Sequence, residues 1–249
     1  MRRLLNSLTL IALMSAGPAL AGGLGAMSAE EKAAFRAEVR AYLLENPEVL
    51  VEAMDVLNAR TDADAATRDQ QMLVANKDQL MNDPASYVGG NLNGDITVIE
   101  FMDYQCGYCK KAHEEVTALI KADGNIRFIV KEYPILGDAS VLASRFAISV
   151  LQLHGPDAYI VAYDAMLSMR GAPDETSLAR LATTLNLDPA PIMARMNSAE
   201  VTAVIEANHS LGQTMEVSGT PTFVIGGSIV RGYVPLDGMQ QIVAQERRS

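Results

Sequence analysis

The chain has 249 residues, and 49% of them are apolar, enough for one large domain or a domain with an appendage. Acidic side chains outnumber basic ones, 30 to 20, for a formal net charge of −10, which argues against nucleic acid and anionic membrane as partners. Only two cysteines are present, Cys106 and Cys109, and a zinc ribbon needs a second pair of ligands.

Residues 1–21 read as a signal peptide. Arg2 and Arg3 give a basic start, Leu4 to Met14 an apolar run, and Ala19-Leu20-Ala21 a small-x-small cleavage site before Gly22. The run is too short to anchor the chain in a bilayer. The mature chain is therefore expected in a bacterial periplasm, where disulfide chemistry is permitted.

Residues 22–81 are expected as an N-terminal helical segment and stalk. Over 28–45, Phe35, Val39 and Tyr42 follow i, i+4, i+7 spacing with Leu43 beside them. Asn46 as N-cap and Pro47 at the first position then predict a second helix. Its apolar stripe is Val49, Leu50, Met54 and Leu57. From Asn58 to Gln71 the pattern stays helix-friendly but turns almost wholly polar, with Arg60, Asp62, Asp64, Arg68 and Asp69. A helix so polar is not held by a core of its own. The stripes before it need a partner: the main domain, or the same segment of another subunit. A polar stalk that holds them away from the main domain favours self-association.

The main domain is expected over 82–249. Asn82 to Asp95, rich in Asn, Gly, Asp and Pro, reads as a boundary loop. Ile96 to Met102 reads as a buried strand, and Val116, Leu119 and Ile120 recur at helical spacing after Cys109. The Cys106-Gly107-Tyr108-Cys109 run thus sits where a strand ends and a helix begins. Ile126 to Lys131 is a second strand, completing a βαβ unit. From Ala139 to about Leu211 the pattern is helical, punctuated by Gly155-Pro156, Gly171-Ala172-Pro173 and Asp188-Pro189. Strand character returns over Gly219 to Gly227. Gly226-Gly227 then makes a tight hairpin, and Leu236 to Gln245 closes the chain as a helix.

Backbone N–H groups at a helix start favour the thiolate of Cys106, the form that attacks disulfides. Cys109 lies one turn down the same face, placed to resolve a mixed disulfide. A different chemistry shares these residues. His113 falls four after Cys109, and two thiolates with an imidazole would suit Cu(I); the plainer reading of His113 is a solvated helix residue. His154 and His209 lie outside any ligand spacing.

Four features carry a family resemblance. They are the run from Glu100 through Asp103-Tyr104 to Cys106-Gly107-Tyr108-Cys109-Lys110, the helical insertion, Gly219-Thr220-Pro221-Thr222-Phe223, and the turn Lys131-Glu132-Tyr133-Pro134. Over residues 95–248 the chain resembles the periplasmic disulfide-bond (Dsb) proteins of the thioredoxin superfamily. Glu45-Asn46-Pro47-Glu48-Val49-Leu50 is similar to the N-terminal helical region of the suppressor-of-copper-sensitivity C branch, some members of which are trimeric disulfide isomerases. The resemblance implies an α/β thioredoxin fold with a helical domain inserted at about 139–211, preceded by an N-terminal helical oligomerisation segment. It implies Cys106 as nucleophile, Cys109 as resolving thiol, and Gly107 and Tyr108 as the dipeptide that tunes the potential. Pro221 is expected to be cis against Cys106, with Thr220 presenting its backbone to substrate. Glu100 is expected to take the proton of Cys109 through water.

No cofactor is implied beyond a redox-active Cys106–Cys109 disulfide. The implied partners are misfolded or reduced secreted proteins, a membrane redox partner, and further copies of this chain, a trimer being favoured, through residues 28–80. Strongly oxidising members carry Pro-His between the cysteines. Gly107-Tyr108 supplies no cation, so Cys106 is expected to be less acidified than in those oxidases. That favours an isomerase, with a dithiol oxidase or a copper-binding protein as alternatives.

Overall fold

The computed structural model describes residues 27–248, so the expected signal peptide lies outside it. The described chain divides into two compact units, one up to Thr61 and one from Asp62 onward.

In the first unit, helix α1 (Ala29–Glu45) starts at a reciprocal cap. The Ser28 hydroxyl accepts the Glu31 N–H at 3.2 Å, and the Glu31 carboxylate accepts the Ser28 N–H at 2.8 Å. Helix α2 (Glu48–Ala75) comes after Asn46-Pro47. Asn46 does not serve as the expected N-cap of α2. Its side-chain amide donates to the Tyr42 carbonyl at 2.9 Å, as its backbone N–H does at 2.8 Å, so it closes α1 instead. Phe35, Val39 and Tyr42 on α1, and Leu50, Met54 and Leu57 on α2, are exposed. Helices this open lack the apolar packing from which most helical stability in proteins comes.

The second unit includes the C-terminal part of α2. Asp69 holds Arg231 through two hydrogen bonds of 2.8 Å, and Gln70 donates to the Gly227 carbonyl at 2.6 Å. Met72 and Leu73 pack against a buried cluster that includes Leu80 and Ile99. The stalk expected through residue 81 therefore stops short. Two of its polar residues, Asp69 and Gln70, are held by hydrogen bonds and an ion pair, which apolar periodicity does not register. Helix α3 (Lys77–Met81) comes next.

The sheet has five strands: β1 (Tyr87–Gly90), β2 (Ile96–Met102), β3 (Ile126–Glu132), β4 (Thr222–Ile225) and β5 (Ser228–Arg231). Their order is β1-β3-β2-β4-β5; β2 and β3 are parallel and the other pairs antiparallel. Strand β1 lies in what the sequence suggests is loop. It is a short edge strand with two glycines, and pairing with β3 rather than propensity makes it a strand. Helix α4 (Gly107–Asp123) links β2 to β3.

Helices α5 (Asp138–Leu167), α6 (Glu175–Thr184), α7 (Pro189–Arg195) and α8 (Ala199–Thr214) all fall between β3 and β4. Helix α5 breaks at Gly155-Pro156, where Gly155 takes φ 81°, a value glycine adopts at no steric cost. Helix α9 (Leu236–Glu246) ends the fold.

Strand β2 is covered on both faces, which is why it reads as a continuous apolar run rather than an alternating one. Ile96, Val98 and Met102 join Ile126, Phe128 and Val130 in a core built on α4 and α5. Ile99 and Phe101 turn the other way, to Tyr133, Leu211 and Met215. On that second face Lys131 is fully buried. Its ammonium donates to the Gln79 carbonyl at 2.6 Å and to Asp83 at 2.8 Å, fastening α3 and the loop after it to β3.

Leaving one member of a buried pair uncompensated costs more than removing its charge. Asp83→Asn is expected to cost about 3 kcal/mol in urea unfolding. Lys131→Met is expected to cost clearly less, because Asp83 reaches solvent.

Candidate active site

The site begins at the end of β2. Asp103 is fully buried, and its carboxylate accepts N–H groups from Gln105 at 2.7 Å, Ile135 at 2.8 Å and Leu136 at 3.0 Å. This one side chain fixes the turn that delivers Cys106 to the N-cap of α4, with φ −74° and ψ 117°. The first N–H groups of α4 therefore face the Cys106 sulfur.

Both cysteines are free thiols; Cys106 is 8% exposed and Cys109 only 1%. The two are electrostatically unlike. The Cys109 thiol, hydrogen-bonded to Cys106, holds Cys106 at about 5, well below the ordinary thiol value. Burial opposes this, while a hydrogen bond from the Thr220 side chain and the N–H groups of Cys109 and Tyr108 reinforce it. Burial drives Cys109 far upward, and the Cys106 hydrogen bond and the charge of Glu100 add to the effect. At neutral pH the pair therefore holds one thiolate, on Cys106.

Across from α4, the Thr220–Pro221 peptide is cis, and the Cys106 sulfur lies 3.1 Å from the Thr220 carbonyl oxygen. The sequence places these residues 114 positions apart in the chain, and the β4 pairing with β2 brings them together. Tyr108 is 63% exposed and its ring lies 6.0 Å from that of Tyr233. The Tyr233 hydroxyl donates to Glu115, and the Lys111 ammonium sits 4.2 Å over the Tyr233 ring. A Cβ at Gly107 would meet open space, so sterics do not demand glycine between the cysteines.

Glu100 lies on β2 behind the cysteines and is 1% exposed. One carboxyl oxygen accepts the Tyr163 hydroxyl at 3.0 Å, and the other, Oε1, has no partner. Burial pushes Glu100 up to about 8. A group so placed exchanges protons near neutral pH.

His113 does not join the cysteines. Its Nε2 lies 3.4 Å from Asp164, and its ring meets Tyr163 edge-on at 5.3 Å. Among the described residues no group of three or more His, Cys, Asp or Glu could hold a metal ion. The copper set of Cys106, Cys109 and His113 therefore does not assemble in this geometry. Helical spacing alone puts His113 on their side of α4; packing against α5 turns it away.

A second buried acid enters the sequence reading only inside the Lys131-Glu132-Tyr133-Pro134 turn. Glu132 accepts hydroxyls from Tyr159 at 2.6 Å, Ser144 at 2.7 Å and Tyr104 at 2.8 Å. The sequence does hold a signal for it: a carboxylate in step with Ile126, Phe128 and Val130, on the apolar face of its strand.

The family described as DSBA-like thioredoxin domain matches residues 97–244, and that of the copper resistance protein ScsC N-terminal domain matches residues 31–63. A thioredoxin-like oxidoreductase from Silicibacter pomeroyi DSS-3 is 38% identical, with a TM-score of 0.65 over 70% of this chain and 99% of that one. A linker-deletion variant of Proteus mirabilis ScsC is 25% identical, with a TM-score of 0.67 over 91% of this chain and 99% of that one. Disulfide bond formation protein D of Bacillus subtilis is 22% identical over 169 residues, 63% of this chain and 75% of that protein. Two Salinispora Na(+)/H(+) antiporters match as well, but the chain spans only 24% of the length of each.

The difference between the two thiols has a direct readout. Thiolate absorbance of the reduced protein near 240 nm is expected to titrate once near pH 5. Removing the principal donor in Cys109→Ala is expected to raise that midpoint by about one unit or more. Stability carries the same sign. The folded value of Cys106 lies below the unfolded one, so its contribution to the reduced protein is fully present above the unfolded thiol value. It falls away as pH drops through about 5. Urea midpoints of reduced wild type and Cys106→Ser are expected to converge in acid.

Proposed function

This chain belongs to the family of DSBA-like thioredoxin domains, and from that premise we propose that it is a disulfide isomerase acting on secreted proteins in a bacterial periplasm. It is a thiol–disulfide oxidoreductase of the DsbA and ScsC type. The observation that carries the catalytic reading is the thiolate-favouring Cys106, held at a helix start against Thr220–Pro221.

The Cys106 thiolate attacks one sulfur of a wrong substrate disulfide. A Cys106–substrate disulfide forms, and the other substrate sulfur leaves as thiolate. Pro221 has no N–H, and Thr220 offers its backbone to an extended substrate segment in strand-like pairing. A second substrate thiolate then attacks the mixed disulfide, makes the correct pair and restores Cys106. If none arrives, Cys109 gives its proton to Glu100 through water and attacks the Cys106 sulfur. The substrate leaves reduced, and a Cys106–Cys109 disulfide remains for a membrane redox partner to reduce. No further cofactor is required.

Three features support isomerase over oxidase. The Gly107-Tyr108 dipeptide brings no cation to Cys106, and about 5 is a moderate poise among acidified thiols. The ScsC-type match covers residues 31–63. The apolar side chains there stand open, in the pattern of a surface made to be covered by copies of itself. We assign residues 28–61 to homo-oligomerisation, a trimer being favoured, so that several Cys106 sites serve one client. Export rests on the signal-peptide pattern of residues 1–21.

Recovery of ribonuclease from scrambled disulfides tests the reading. The mature protein is expected to restore activity. A version starting at Asp62, and the full chain carrying Phe35→Glu with Tyr42→Glu, are expected to run as monomers and lose recovery several-fold. Negligible recovery by the full chain, beside fast oxidation of reduced ribonuclease, would establish an oxidase instead.

A further inference from the structure

Two acids share the inner face of the sheet. Met102 pairs with Glu132 and Glu100 with Val130 across the parallel β2–β3 ladder. Glu100 and Met102 point to the same side, so Glu100 and Glu132 are diagonal neighbours beneath α4 and α5. Their surroundings are nearly free of cations. Helix α4 contributes Cys109 and His113 and its N-cap is Cys106, and the turn after β2 contributes Asp103 and Tyr104. Helix α5 contributes Ser144, Tyr159, Tyr163 and Asp164, and β1 contributes Tyr87, stacked on Tyr159 at 4.8 Å. Among these only His113 can become positive, and burial disfavours that form. Lys131 points to the opposite face, where Asp83 engages it.

The two acids are provisioned unequally. Glu132 receives three hydroxyl donors, whereas Glu100 receives one and keeps an oxygen without a partner. Donors favour the charged form, so of the two acids Glu132 ionises first. The phenols that serve the two acids also pack together, Tyr159 on Tyr163 at 6.0 Å and Tyr104 edge-on to Tyr163 at 6.1 Å.

We propose that Glu132 is a positioning residue for the resolving step: it titrates as one coupled pair with Glu100, and its charge sets the proton affinity of the acid that serves Cys109. This rests on the reading of Glu100 as the proton acceptor. Burial pushes Glu132 to about 7 and Glu100 to about 8, in the order the donor counts require. Two like charges in one dry pocket ionise in succession. With Glu132 ionised, the Glu100 carboxylate is the stronger base. In resolution the Cys109 S–H proton passes to Glu100, and the Cys109 sulfur bonds to the Cys106 sulfur. The Cys106–substrate bond breaks, and the substrate leaves as thiolate. The cysteine pair is oxidised and the substrate sulfur is reduced.

Single-turnover reaction of the reduced full chain with oxidised glutathione, quenched by acid and weighed by mass spectrometry, separates mixed-disulfide formation from resolution by Cys109. Across the pH range, Glu132→Gln is expected to lower the midpoint of the resolution rate by about one unit. Glu100→Gln is expected to abolish that midpoint, and Glu132→Gln added to it is expected to change nothing further. A resolution profile that Glu100→Gln leaves intact would overturn the Glu100 reading, and the proposal with it. A midpoint sensitive to Glu100→Gln but unmoved by Glu132→Gln would overturn this proposal alone. Carbon-13 NMR of the glutamate carboxyls in the wild type needs no variant. Two perturbed carboxyl resonances that each titrate in two shared steps support the pair, and two independent single-step curves overturn it.

Discussion

Three backbone N–H groups converge on the Asp103 carboxylate, and the site is built on that convergence. A fully buried anion without donors would cost several kcal/mol, on the order given for unpaired buried charge. Asp103 meets that demand by ordering the chain around itself. Gln105 is drawn into the turn that starts α4, and Ile135 and Leu136 are drawn in from the loop beyond β3. The end of one strand, the start of the active helix and the entry to the inserted helices thus share one fixed point. The turn in its own right dictates that Cys106 stands at the helix start.

Behind that turn polarity is graded over a short depth. Cys106 is the least buried of the group and is acidified; Cys109 is sealed and held protonated; Glu100 and Glu132 are buried behind them, among tyrosines. Phenols suit such a place because each gives a hydrogen bond without bringing a charge to be desolvated. The same rings fill the core between α5 and the sheet. The pocket is polar in its hydrogen bonds and apolar in its volume, the condition under which a carboxyl group keeps its proton to neutral pH.

The strand–cysteine–helix unit is legible in the sequence because three local signals agree there: an apolar run, a change of period and the cysteine spacing. The insertion is legible from its turn residues, and the hairpin from Gly226-Gly227. The features that escape depend on partners distant in sequence. Strand β1 exists because β3 lends it hydrogen bonds. Asp69 and Gln70 look like the surface of a stalk until Arg231 and Gly227 come beside them. Asn46 has the look of a cap for α2 and serves as the close of α1. His113 has the right spacing for a cysteine partner, and tertiary packing gives it Asp164 instead. Glu132 stands within a motif that reads as a turn, and its three hydroxyl donors come from residues 12 to 28 positions away.

The break in α5 has a mechanical meaning. Ser144 lies before Gly155-Pro156 and Tyr159 after it, yet both donate to the same carboxylate, that of Glu132. The two arms of the bent helix are therefore latched to each other through a single acid. Straightening the elbow would pull a donor away from Glu132 and leave its charge less supported, while adding a proton to Glu132 would loosen the latch. The elbow is thus tied at both arms to the acid beside Glu100, so the inserted helices and the redox centre share one buried carboxylate.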